Sequence, residues 1–200
     1  MHYLKLFIVL LVVLVTGSSR AHAQVLTYDD FKSVVPFLQK EDWESAFKKS
    51  GDLLKHSPKD DTTSYKGILT YIHIVSAAAM VANDKMTYGR LRKSILKYKG
   101  HMVLMAAHPV AADGSNTINK TFLSNNDTTG TGFTTSTNRG GTIIFCFERF
   151  TFKNKINPAD FDNAVVRCGG RLAAIEINPH ETKTWIVRLR VSDAFIHKAN

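Results

Sequence analysis

The spacing of apolar residues changes once along this chain, at Gly100, and that change restricts the fold more than any motif does. Before it, apolar side chains recur every three or four residues, the repeat of an α-helix with one buried stripe. After it they fall on every second residue, the repeat of a β-strand. The clearest case is "TWIVRLRV", residues 184–191. There Trp185, Val187, Leu189 and Val191 are expected inward, with Ile186, Arg188 and Arg190 outward. A chain that separates helices from strands in this way is α+β. The expected organisation is a helical region over residues 24–99 and a β domain over 100–200.

Ahead of both regions, residues 1–23 have the build of an export signal. Lys5 gives a positive start, residues 6–15 are ten apolar residues in a row, and a small, polar stretch ends in Ala21-His22-Ala23. That is the order of a secretory signal peptide, with cleavage expected before Gln24. Ten helical residues reach only about 15 Å, half of a roughly 30 Å hydrocarbon layer. The first cysteine is Cys146, which argues against an acylated lipoprotein. No later segment reads as long and apolar enough to span a membrane, so the mature chain is expected to be exported, periplasmic or secreted. Lys5 and Arg20 leave with the leader, which lowers the formal net charge from +9 to +7. The excess suits an anionic partner. It equally suits plain solubility, because the charges are spread and no run of five occurs.

Four helices are expected. Thr27 caps the first, with Asp29 and Asp30 in the opening turn and Pro36 as a kink or break. The second spans about residues 41–56, with Trp43, Ala46, Phe47, Leu53 and Leu54 on its apolar side and Pro58 as its stop. The third, about 62–82, is apolar nearly all round and must be covered on several sides. The fourth, 87–98, has Thr87 as cap and Gly100 as its end. "EDWESAFKKSGDLLKHSPKD", residues 41–60, resembles the second helix of a tetratricopeptide repeat, in Asp42-Trp43, Ala46, Leu53 or Leu54, and Pro58. There is no second copy, and Gly51 departs from the pattern. A solenoid needs about three units, so the resemblance implies a repeat-like helical hairpin and a protein-contact scaffold.

Residues 113–141 are different again: 23 of the 29 are Ser, Thr, Asn, Asp or Gly. One or two polar strands are expected here, with "NTINKTFL" the better candidate. Asn119 and Asn126 each begin a glycosylation triplet, a short pattern that is common by chance. Around this stretch, "HMVLMAAHPV", "GTIIFCFERFTF", "VVRCGGRLAAIEI" and "TWIVRLRV" read as strands. "NPADFDN" reads as a single helical turn, and Gly169-Gly170 as a bulge. Three strands, a short helix and two strands is an order similar to that of the OB fold. The resemblance covers about residues 100–196 and implies a five-stranded antiparallel β-barrel.

No residue pattern anchors a reaction. There is no nucleophile elbow and no phosphate-cradling glycine loop, and no cofactor is expected. His101 and His108, seven apart, fall on opposite faces of one strand, and His73 reads as a core histidine, so no metal site is expected either. Cys146 and Cys168 are a possible disulfide or two buried thiols, and the sequence leaves both open. Candidate ligand residues are Arg171, Arg188 and Arg190, with Arg149 and Arg167 near them in register. Bases or sugars would need exposed rings beside these arginines. Trp185 reads as inward and Phe147 as central, which leaves only Phe150 and Phe152. Glu148 and Glu176 read as cross-strand partners of the arginines. The functional expectation is a non-catalytic binding or assembly module of the envelope that contacts another protein. The alternative is a binder of an anionic oligomer through the arginine face.

Overall fold

The computed structural model describes residues 24–199, and the leader expected over residues 1–23 lies outside them. The chain first forms α1 (Tyr28–Lys32), α2 (Val35–Gln39), α3 (Trp43–His56), α4 (Ser64–Ala82) and α5 (Tyr88–Ile95). The caps are local chemistry. Thr27 and Asp30 close a capping box on α1, and Pro36 starts α2 instead of continuing α1. Asp42, Thr63 and Thr87 accept from the first-turn amides of α3, α4 and α5. Gly100, at φ +87°, turns the chain out of the helical region.

Helix α4 is the centre of the molecule. It is 19 residues long and apolar enough to cross a membrane, but 14 of those residues are buried in the fold. It packs against α3, α5, β1 and β5. The α3–α4 contact explains the two small residues in α3. Ala46 is fully buried beside Leu69 and Ile72 of α4. Gly51 lies against the His73 ring, where a Cβ would come within 2.9 Å of Cε1. His73 stacks on Phe47 at 4.2 Å between centroids and contacts Ser50 Oγ at 3.2 Å. The glycine that departs from the repeat pattern is therefore the space the imidazole occupies.

The β region is one seven-stranded sheet: β1 (Met102–Leu104), β2 (His108–Pro109), β3 (Phe122–Asn125), β4 (Gly130–Thr137), β5 (Ile144–Phe152), β6 (Val165–Ile177) and β7 (Val187–Lys198). The order is β1-β6-β7-β5-β4-β3, with β2 also on β6. This corrects the five-stranded antiparallel barrel. The sheet is not closed, and β5 and β7 run parallel. The physical reasons are local. "HMVLMAAHPV" breaks at Met105–Ala107 into two short strands on the same neighbour. The crossover through the Pro158–Phe161 turn leaves a one-strand gap beside β5, and β7 fills it. The better polar candidate supplies only the start of β3, whereas "GTGFTTST" forms the eight-residue β4. Gly169-Gly170 does make the expected register shift. A Cβ on Gly169 would lie 2.5 Å from the Phe195 ring.

Helices and sheet share a core that includes Tyr71, Ile74, Leu91, Phe145, Phe150 and Leu189. The change of element type at residue 100 is thus not a boundary between cores. Cys146 and Cys168 are both free and buried. Their partners on the intervening β7 are Val187 and Ile196, nine residues and so about 30 Å apart along the strand. No bridge can form across that distance.

In an ordinary helix Gly51→Ala would gain up to about 1 kcal/mol of helix propensity. Here the methyl displaces a buried ring, and overpacking of this kind costs about 1–3 kcal/mol. Urea unfolding should give a lower midpoint for Gly51→Ala than for the wild type, with an unchanged slope.

Candidate functional site

Pairing across the sheet places the outer-face residues in two rows. In the first, Phe122 lies opposite Phe133, Phe133 opposite Arg149, and Arg149 opposite Arg190. In the second, Thr135 lies opposite Phe147, Phe147 opposite Arg188, and Arg188 opposite Glu176. These rows cross five strands on the side away from α4. With Gly114 and Thr117 from the segment before β3, they line an open groove of about 470 Å³.

Three guanidinium groups meet in this groove. Arg188 stacks on Trp185, 4.1 Å from the ring centroid, and reaches Phe147 at 5.8 Å. Arg149 lies 5.6 Å from the Phe133 centroid. Arg190 is bonded to Glu176 at 2.7 Å. One carboxylate therefore serves three cations. Arg149 and Arg190 are directly opposite each other across the β5–β7 pair, an arrangement that costs free energy unless an anion lies near. The rings hold the guanidinium planes without neutralising them, and a planar, weakly hydrated guanidinium suits carboxylate, sulfate or phosphate.

Several expectations change. Arg171 is not in the groove; it donates to the Gly100 carbonyl at 2.8 Å. Arg167 lines a different cavity, between the helices and the sheet. Trp185 precedes β7 and is half-buried under Arg188, while Ile186 is fully buried, so the inward parity begins at Val187. Phe150 and Phe152 are buried, and the groove rings are Phe122, Phe133 and Phe147 instead, with Trp185 beneath Arg188. Glu176 does pair with an arginine. Glu148 does not. The signal for the groove was present in the one-residue alternation of Phe147, Arg149 and Thr151, which puts Phe147 on the arginine side.

Glu148 points to the helix side and is 2% exposed. Its Oε1 lies 2.8 Å from both Tyr71 Oη and Ser136 Oγ, and those two oxygens are 2.6 Å apart. Both hydroxyls donate to Oε1, and Oε2 is buried with no partner among the described residues. Burial, the largest cause, raises the Glu148 carboxyl from 4.5 to about 8, so the acid form predominates at neutral pH. Burial likewise lifts Tyr71 and Cys146 well above their usual ranges and Cys168 to about 12, which makes both thiols poor nucleophiles. Among the described residues no group of three His, Cys, Asp or Glu side chains could hold a metal ion.

Comparison with known proteins finds no family model, no curated protein and no solved structure that matches this chain. The two rows and the buried triangle are therefore read on their own chemistry.

Two buried groups set opposite pH dependences. Burial lowers His73 from 6.5 to about 4, so the unfolded chain binds the extra proton below pH 6.5 and stability falls as pH falls. Glu148 is raised, so its contribution is full below pH 4.5 and is lost as pH rises through about 8. The two oppose each other between about pH 4.5 and 6.5, and Glu148 acts alone between 6.5 and 8. Wild-type unfolding free energy should fall by roughly 2 kcal/mol from pH 6.5 to 8, at about 1.4 kcal/mol per pH unit. Glu148→Gln keeps a neutral donor and acceptor, so its chemical denaturation should show no such decline, while the acid-side loss from His73 remains.

Proposed function

We propose that this is an exported, non-catalytic binding protein whose concave sheet face holds an anionic oligomer, with an acidic glycan as the first candidate. The observation that carries this reading is the Arg149–Arg190 pair, set directly opposite across β5 and β7 with one carboxylate, that of Glu176, for the three arginines of the groove. An anion seated between the two guanidinium groups relieves their repulsion and accepts from both. Phe122, Phe133 and Phe147 add aromatic surface to the groove, on which sugar or base faces can rest. Export, expected from the leader, favours a glycan over nucleic acid as the natural partner.

The envelope-assembly reading has less to stand on. The repeat-like hairpin buries Ala46 of α3 against α4, and α4 is covered by α3, α5 and the sheet, which leaves the hairpin little face for another protein. The finer likeness to an OB barrel enters only as a shared strategy, a curved sheet that presents charge and rings on one face.

Heparin serves as the probe. Binding should weaken steeply with salt, and Arg149→Ala/Arg190→Ala should lower affinity at least tenfold at 50 mM salt and flatten the salt dependence, as seen by calorimetry. Arg171→Ala, which alters an arginine outside the groove, should keep most of the affinity. Equal losses from both variants would mean that net charge, and not the groove, does the binding.

A further inference from the structure

The groove is not charged evenly from end to end. Its first row runs Phe122, Phe133, Arg149, Arg190 over β3, β4, β5 and β7, about 14 Å at roughly 4.8 Å per strand step. Both cations of the row stand at the β5–β7 end, where Arg188 joins them. Among the described residues, no charged side chain of β3, β4 or the segment before β3 lines the other end. Phe122 and Phe133 lie there, half-buried. The Phe122 ring is backed by main chain, since a Cβ on Gly114 would come within 3.3 Å of it. Beside the rings, the hydroxyls of Thr117 and Thr135 are hydrogen-bonded at 3.0 Å. Two hydroxyls carry two hydrogens and this bond uses one, so the pair keeps a donor.

The two ends call for different chemistry. The arginine end suits an anion. At the ring end a carboxylate would give up water to face phenyl groups with no cation to replace it, which is strongly unfavourable. A neutral sugar meets no such cost. Its C–H face rests on the rings, and its hydroxyls accept from and donate to the threonine pair. We propose that the groove binds an acidic glycan in which charged and neutral sugars alternate. The charged sugar lies between Arg149 and Arg190, and its neutral neighbour lies on Phe133 and Phe122. This ligand class presupposes that the groove is the binding site proposed above, and it adds the order of charge along the glycan. A glycan with charge on every sugar offers more anions but must lay one of them on the rings. Charge density alone and the groove therefore rank the two kinds of glycan in opposite order.

Calorimetric titration at low salt compares a hyaluronan oligosaccharide, charged on alternate sugars, with an oligogalacturonate of the same length, charged on every sugar. Hyaluronan should bind at least about fivefold more tightly. Phe133→Ala, checked for folding by circular dichroism, should lower hyaluronan affinity about tenfold and galacturonate affinity less than about twofold. Phe133→Tyr keeps the ring and should retain most of the hyaluronan affinity. Galacturonate binding as tight as hyaluronan binding overturns the proposal, as does absence of hyaluronan binding up to about 1 mM while heparin binds. An unchanged preference in folded Phe133→Ala does the same. Should that variant unfold, the wild-type ranking decides alone. Heparin binding to Arg149→Ala/Arg190→Ala separates the two ways of failing. Where heparin binding is lost in that variant, the groove stands and only the alternating ligand falls. Where it persists, the groove itself falls as a site.

Discussion

The triangle of Tyr71, Ser136 and Glu148 is the constraint on which the rest of the architecture depends. It ties the middle of α4 to β4 and β5 at one buried point. Removing one member would leave the others with an unmet hydrogen bond in a dry interior, at a cost of about 1–3 kcal/mol. Because the carboxyl enters as the acid, the desolvation that would forbid a buried anion does not arise. The cluster also sets which side chains the opposite face presents. Once Glu148 and Cys146 look toward α4, Phe147 and Arg149 must look away from it, and the groove follows.

The groove in turn holds electrostatic tension that the fold does not release. Aromatic rings orient Arg188 and Arg149, and Glu176 engages Arg190, yet the cross-strand pair of like charges stays. A surface selected for stability alone would alternate signs along such a row, as cross-strand pairs commonly do. On the proposed reading, two guanidinium groups opposite each other recover that cost when an anion binds between them.

Much of the fold was legible in the residues, for reasons that can be named. The helix caps Thr27, Asp42 and Thr87, the break at Pro36 and the Gly169-Gly170 shift are local signals with local outcomes. Strand order is not local. Nothing in "TWIVRLRV" says that it enters between β5 and β6 or runs parallel to β5, because pairing partners are chosen across the whole sheet. The threonine-rich β4 reads in sequence as part of a polar stretch, since its buried residues are glycines, threonines and a serine, Gly130 to Gly132 and Thr134 to Ser136, none of which looks apolar. The arginines of the groove are legible in sequence, Arg188 and Arg190 by parity with Arg149 beside them, but its aromatic rings are not. Arg171 was carried along by the same parity but sits beyond the bulge, bonded to a carbonyl near the helices. Glu148 was misplaced because a glutamate among arginines reads as their partner, and only the nearness of Tyr71, 77 residues away, shows otherwise.

The same misreading explains why a buried acid is useful here. β5 is apolar on both parities, with Phe145 and Phe147 on one and Cys146 and Phe150 on the other. In most strands a one-residue slip throws the apolar set into water, and that penalty fixes the register. In β5 a slip exchanges one apolar set for another, so the penalty is small. Glu148 restores it, since a slip would move the carboxyl away from Tyr71 and Ser136 and turn Arg149 toward α4. A polar group that adds little net stability thereby decides which face of a two-sided strand meets the helices. It also decides that the arginines end together on the face that remains open.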